Sequence, residues 1–234
     1  MDTLHRQARL TGFLYILLAL LAPLRLIYIP TKLFVSGDAG ATAANVLAHE
    51  TLFRWGIVAD LCAGTILVFV VLALYRLLHT VSRPLAIVMV ILGGVLPAAI
   101  YYLNTVNDAA ALLLMKGTPY LGVFDEAQRT SLGMLFLRLH GQVVVAAEML
   151  WGLWLIPLAI LVFRSGFLPR FFGLWLALNG FAYIVQSVAG FLAPGSLDRL
   201  DDLFMVLQLG EVAFMLWMLL FGARRYPFHK EIPA

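Results

Sequence analysis

Cysteine is almost missing from this chain. Its single copy, Cys62, excludes an intramolecular disulfide and any metal site built on paired thiolates. Charge is scarce too: Asp, Glu, Lys and Arg together make up 12% of the residues, about half the share expected of a soluble domain. The net charge of +3 is too small, and too dispersed among helix ends, to describe a nucleic-acid surface. No HExxH stretch, no histidine cluster and no serine–histidine pattern of familiar spacing occurs among the five histidines. A zinc centre would therefore need His140 plus carboxylates, an uncommon ligand set, and the expectation is no metal and no cofactor. Low-complexity stretches are missing as well.

What the chain does have is apolar sequence. Hydrophobic residues make up 62% of it and the mean hydropathy is +0.94, which places the protein in a membrane. A helix needs about 20 mostly apolar residues to cross one. Six runs qualify, near 10–29, 53–75, 85–106, 134–163, 169–193 and 203–222. The expected fold is all-α: one domain over residues 1–234 holding six transmembrane helices in one bundle, with a short interfacial helix after the first span. The stretch 1–24 has a basic start but no small-residue cleavage site, and Arg25 follows it, so it reads as a retained span rather than a signal peptide.

Local signals place the ends. Pro30 is expected to stop the first span, with Arg25 close enough to that end to snorkel into the headgroups. Asp38 is suited to cap the interfacial helix, Pro84 to open the third span and Asp125 to cap the fourth. Glu50 and Arg54 are spaced for an i,i+4 pair. Pro97 and Pro157 predict bends, and Pro194-Gly195 a stop.

The charges also give an orientation. Arg6, Arg9, Arg76, Arg83, Arg164, Arg170, Arg224, Arg225 and Lys230 fall at one set of helix ends. Asp38, Glu50, Asp125, Glu126, Asp198, Asp201 and Asp202 fall at the other. Basic loops stay inside, so both termini are expected in the cytoplasm.

Polar residues inside the spans collect towards the acidic end. Counted at 1.5 Å per residue from the arginines, Asp60 and Glu148 each lie roughly 7 Å below the outer edge, with Gln186 level with them. Gln208 and Glu211 come out deeper, Glu211 near the midplane. His140, Gln142 and Asn104 lie at the mouth, and Asn107 and Asp108 just above it. Asn104, Asn107 and Asp108 share one helix face. Exposing these groups to lipid is costly, so they are expected to turn inward and line a polar chamber open to the outside. Asp60, Glu148 and Glu211 are the carboxylates hardest to treat as helix glue, with Arg54 and Arg138 as their nearest cations. Gln208 and Gln186 fit simple interhelical hydrogen bonding, Asn107 and Asp108 fit a solvated helix end, and His140 fits an interfacial histidine as well as a ligand or base.

The phrases AEMLWGLWLIPLAILVFRSGFLPR and PGS after a Gly-rich fifth helix carry a resemblance. So do ARLTGFLYILLAL, SGDAGATAANVLAHETLFRWGI, LALYRLL and MLFLRLHGQ. Together they resemble, over nearly the whole chain, the bacterial membrane family filed as domain of unknown function 4386. The resemblance implies six spans in a bacterial cytoplasmic membrane and places Glu148 and His140 in the shared motif region. Asp60 fits that pattern less well. No activity comes with the family.

Three classes of function follow from these residues. One is a protein that binds or transports a small polar, cationic or lipid-like ligand arriving from the outer side, through Glu148, Glu211, His140, Asp60, Asn104, Asn107, Asp108 and Gln186. Another is an intramembrane enzyme acting on a lipid or lipid-linked group, with Glu148 as acid or base and His140 as its partner. The third is an accessory or sensor subunit whose polar layer only fixes helix packing. Membrane lipid is an expected partner in each case and nucleic acid in none.

Overall fold

The computed structural model describes residues 3–223, and every regular element among them is helical. Six helices are long and apolar enough to cross a membrane, which makes the chain a polytopic membrane protein. They are α1 (Thr3–Leu33), α3 (Glu50–Leu78), α4 (Arg83–Lys116), α5 (Glu126–Arg164), α6 (Arg170–Leu192) and α7 (Asp201–Phe221). The short α2 (Ala39–Ala48) follows α1, as the sequence predicts. Arg224, Arg225 and Lys230, which belong to the basic set, lie outside the described residues.

Side chains at the helix ends do what their identities suggest. The Asp38 carboxylate accepts the Ala41 N–H at 2.8 Å, satisfying one of the orphan donors at the start of α2. At α5, Asp125 Oδ1 accepts the Gln128 N–H at 2.8 Å while Gln128 Oε1 accepts the Asp125 N–H at 3.0 Å, a reciprocal capping box. Glu50 takes Arg54 Nε at 2.8 Å and also Lys116 Nζ at 2.9 Å. After α6 the chain turns at Gly195 with φ of 78°, a left-handed conformation that glycine adopts without a Cβ penalty.

One proline acts differently from expectation. Pro30 does not stop α1. A π-helical turn, Leu24–Tyr28, follows Pro23, and the helix resumes as Ile29–Leu33 with Pro30 in its first turn. Tyr28 and Ile29 keep helical φ and ψ, so the helix is continuous, and the wider π turn before Pro30 makes room for a ring that has no N–H to donate. The same device precedes Pro97, where Ile91–Val95 is π-helical and the helix continues over Leu96–Lys116. The wider turn accommodates the ring, which would otherwise collide with the carbonyl four residues back, at Gly93. Pro157 lies within α5, which runs on through it.

By contacts the chain divides into two compact units. The first comprises Met1–Leu18, Ile66–Pro97 and Val145–Ala234, and so holds α6, α7 and one part of each of the other long helices. The second comprises Ala19–Thr65 and Ala98–Val144.

Small residues set the packing of the first unit. A methyl on Gly152 would collide with the Gly180 carbonyl, and one on Gly180 would lie 2.8 Å from the Gly152 carbonyl. The backbones of α5 and α6 therefore touch, as close crossings in membranes require. In the second unit Ile29, Leu33, Val46, Phe53, Leu112 and Leu137 form an apolar core. There α2 is held to the end of α1 by polar bonds: Thr42 Oγ1 accepts the Val35 N–H at 2.9 Å, and Asn45 Nδ2 donates to the Leu33 carbonyl at 3.2 Å.

Candidate functional site

In the second unit the polar cluster starts from Arg25, a residue expected in the headgroups. It is instead 2% exposed. The reason is local. Arg25 lies in the π turn of α1, and Gly56 on α3 leaves space for its stem: a Cβ there would sit 3.2 Å from Arg25 Cδ. The guanidinium donates from Nε to Asp108 Oδ2 at 2.8 Å and from Nη2 to Asp108 Oδ1 at 2.6 Å. This bidentate fork is the strongest geometry available to the two groups. The Phe34 ring lies 5.8 Å from the guanidinium carbon and adds a cation–π contact. Asp108 is thus no solvated helix end but a fully buried carboxylate two turns before the end of α4. Arg54 and Arg138, the cations anticipated from the sequence, are both exposed.

His140, on α5, is turned towards the same place. Its Nδ1 is 3.3 Å from Asp108 Oδ1, and its Nε2 is 4.0 Å from Oδ2 of Asp60 on α3. Asp60 and His140 are each 3% exposed. Gly56 and Asp60 are i,i+4, so one face of α3 supplies both the room for Arg25 and the second acid. Asn104 Nδ2 donates to the His140 carbonyl at 3.2 Å and Asn107 Nδ2 to Asn104 Oδ1 at 2.9 Å, which docks α4 on α5 beside the imidazole. Asn104, Asn107 and Asp108 do share a face, as their spacing predicts.

Asp60, Asp108 and His140 each bring one potential ligand atom within 4.8 Å of the others. Two features oppose closure around a single metal ion. His140 presents a different nitrogen to each acid, and Arg25 already occupies both oxygens of Asp108.

The first unit holds the other three candidates. Glu211 has both oxygens engaged: the Tyr15 hydroxyl donates to Oε1, and Asn179 Nδ2 donates to Oε2 at 3.2 Å. Tyr15 and Asn179 are both buried, and the Tyr15 ring lies 6.2 Å from that of Trp154. Gln208 Nε2 donates to Gln186 Oε1 at 2.9 Å, so both amides take part in interhelical hydrogen bonding, with each other as partner.

Glu148 is unlike all of these. It is half-buried, and among the described residues it makes no hydrogen bond or ion pair. It opens on a cavity of about 190 Å³ lined also by Gln186, Gly190, Gly195, Ser196 and Leu197. Gly190 sets the shape, because a Cβ at that position would fall 2.6 Å from Val145 Cγ1. Gly190 lets α6 pack against the side chain of Val145, about one turn before Glu148 on α5, and Gln186, one turn before Gly190, lines the cavity with the carboxylate.

The eight candidates therefore sort by unit, with Asp60, Asn104, Asn107, Asp108 and His140 in the second and Glu148, Gln186 and Glu211 in the first. Sequence reasoning missed Arg25, Tyr15 and Asn179 as members of these clusters. For Arg25 the signal was present: an arginine inside an apolar run needs a carboxylate partner as much as a carboxylate needs a cation. Asn179 carried a signal too, as an amide inside a spanning run, whereas nothing in the apolar run of α1 singles out Tyr15.

Comparison with known proteins adds one result. No curated protein and no solved structure matches the chain. Residues 10–222 match the family model described as Domain of unknown function (DUF4386). The match covers most of the chain, and the protein belongs to the DUF4386 family.

Proposed function

We propose that the protein binds a small cationic ligand, an amine or quaternary ammonium group of a solute or lipid headgroup, in the Glu148 cavity. The observation that carries this reading is a carboxylate in a membrane-spanning helix with no partner among the described residues and an open cavity in front of it. Such a group calls for a counter-charge. The cavity sits at the C-terminal end of α6, whose last residue is Leu192. The negative end of the helix dipole adds to the attraction for a cation. The apolar part of the lining, Ala189, Ala193 and Leu197, suits the carbons attached to an ammonium nitrogen. The volume equals that of about six waters, which is the scale of a headgroup and not of a whole lipid.

In this reading the protein lies in a bacterial cytoplasmic membrane with both termini inside. Arg6, Arg9, Arg76, Arg83, Arg164 and Arg170 mark the inner helix ends, and the cavity faces the acidic, outer side. The enzyme reading that pairs Glu148 with His140 gains no support. His140 turns to Asp60 and Asp108, and Glu148 lies roughly two turns further along α5.

The test is the melting temperature of the purified protein in detergent with millimolar tetramethylammonium or ethanolamine. Either cation is expected to raise it by mass action, and Glu148→Gln is expected to abolish the rise. An equal rise in Glu148→Gln would contradict the proposal. A reporter in the loop 80–82 is expected to read cytoplasmic and one in 117–122 external.

A further inference from the structure

We propose that Asp60, His140, Asp108 and Arg25 form an intramembrane proton-binding site that holds one proton, carried by His140 or Asp60. It lies in the second unit and is independent of the Glu148 cavity.

A charge count motivates it. From α1, α3 and α4 the charged groups that face His140 are Arg25, Asp60 and Asp108. With a neutral imidazole they sum to one excess negative charge. Every member is almost fully buried: Arg25 2%, Asp60 3%, Asp108 0% and His140 3% exposed. Burying a net charge is far more costly than burying a balanced set. One added proton brings the sum to zero. A divalent metal would overshoot, leaving one excess positive charge.

The ion-pair geometry assigns the proton to His140 or Asp60. Arg25 and Asp108 satisfy each other through their two-bond fork. His140 then faces a carboxylate from each ring nitrogen, Asp108 from Nδ1 and Asp60 from Nε2. Neutral imidazole carries one N–H, so one nitrogen would aim its lone pair at an anionic oxygen. Nδ1 is buried and makes no hydrogen bond of acceptable geometry. A proton resolves this in either of two forms. As imidazolium, His140 lies at ion-pair distance from both acids, 4.0 and 3.3 Å, giving an order Asp60⁻, His140⁺, Asp108⁻, Arg25⁺ in which opposite charges alternate. With the proton on Asp60 instead, that acid is neutral and a neutral His140 turns its Nδ1–H towards the ionised Asp108, 3.3 Å away. The two forms differ only in which of His140 and Asp60, 4.0 Å apart, carries the proton, so the pair is a site at which a proton is taken up and released. Asn104, bonded to the His140 carbonyl, fixes the segment of α5 that presents the ring.

The experiment uses the full chain in detergent, labelled with ¹⁵N-histidine, with the His140 signals assigned by their loss in His140→Gln. Wild-type His140 is expected to report one protonation step between mildly acidic and alkaline pH. Asp60→Asn removes the excess negative charge and is expected to abolish that step, with His140 neutral throughout. His140 signals that stay constant over the whole range, or a step that is unchanged in Asp60→Asn, would overturn the proposal. Stability provides a second readout that does not depend on the spectra. Asp60→Asn is expected to melt at or above wild type at alkaline pH, where the wild-type proton is gone, whereas Asp108→Asn melts lower at every pH. If Asp60→Asn instead destabilises as much as Asp108→Asn, Asp60 is a structural ion-pair member and the proton site does not exist. Stoichiometric Zn²⁺ that stabilises wild type but not His140→Gln would also overturn it, in favour of a metal.

Discussion

Two carboxylates in spanning helices, Asp108 in the second unit and Glu148 in the first, met opposite fates. Asp108 is fully buried and holds a guanidinium with both oxygens. Glu148 is half-buried, partnerless among the described residues and next to a cavity. The first unit repeats the contrast internally, since Glu211 has both oxygens bonded, by Tyr15 and Asn179. A carboxylate in a membrane thus says little by its identity. What distinguishes a structural acid from a candidate ligand-binding acid is whether its lone pairs are already occupied.

The largest expected effect comes from breaking the Arg25–Asp108 fork. Asp108→Ala leaves a buried guanidinium with no partner on this carboxylate, at a cost of about 3–5 kcal/mol. Thermal denaturation in detergent is expected to show a large fall in Tm or loss of folded yield. The double substitution Arg25→Met with Asp108→Leu removes both charges and is expected to recover much of the loss. A fall as large in the double variant as in the single would show that the pair matters for something other than charge balance.

Next in size is the crossing of α5 and α6. Gly152→Val forces a branched side chain onto the Gly180 carbonyl, and overpacking of this kind costs about 1–3 kcal/mol. The same substitution at Gly141, which has open space beside it, is the control and is expected to be nearly silent.

Tyr15→Phe is smaller again. It removes one donor to Glu211 and is expected to lower stability by about 1 kcal/mol, the usual value of one hydrogen bond. Smallest of all is Glu148→Gln, which breaks no contact among the described residues and is expected to change stability by less than about 0.5 kcal/mol. A loss there equal to that of Tyr15→Phe would erase the distinction between the satisfied and the open carboxylate.

The sequence made the frame legible for plain reasons. Six apolar runs, Asp38 and Asp125 as caps, and the Glu50–Arg54 spacing are local signals, and local physics decides them. The clusters were harder to read. Counting along a helix gives depth but not the neighbour a side chain meets, so Asp60 and Glu148 came out level yet belong to separate clusters. Arg25 was misread because its nearness to Pro30 suggested a helix end. The π turn at Leu24–Tyr28, which leaves no trace in hydrophobic periodicity, carried the helix onward and kept the arginine inside. Asp108 followed, since its solvated reading presumed a helix end that lies two turns later.

The most direct test of the central claim is equilibrium titration of tetramethylammonium into the purified full chain, its Glu148→Gln variant and its Glu211→Gln variant. The account predicts one saturable site in wild type, undiminished in Glu211→Gln and absent in Glu148→Gln. Equal binding by all three proteins, or a loss in Glu211→Gln alone, would contradict it.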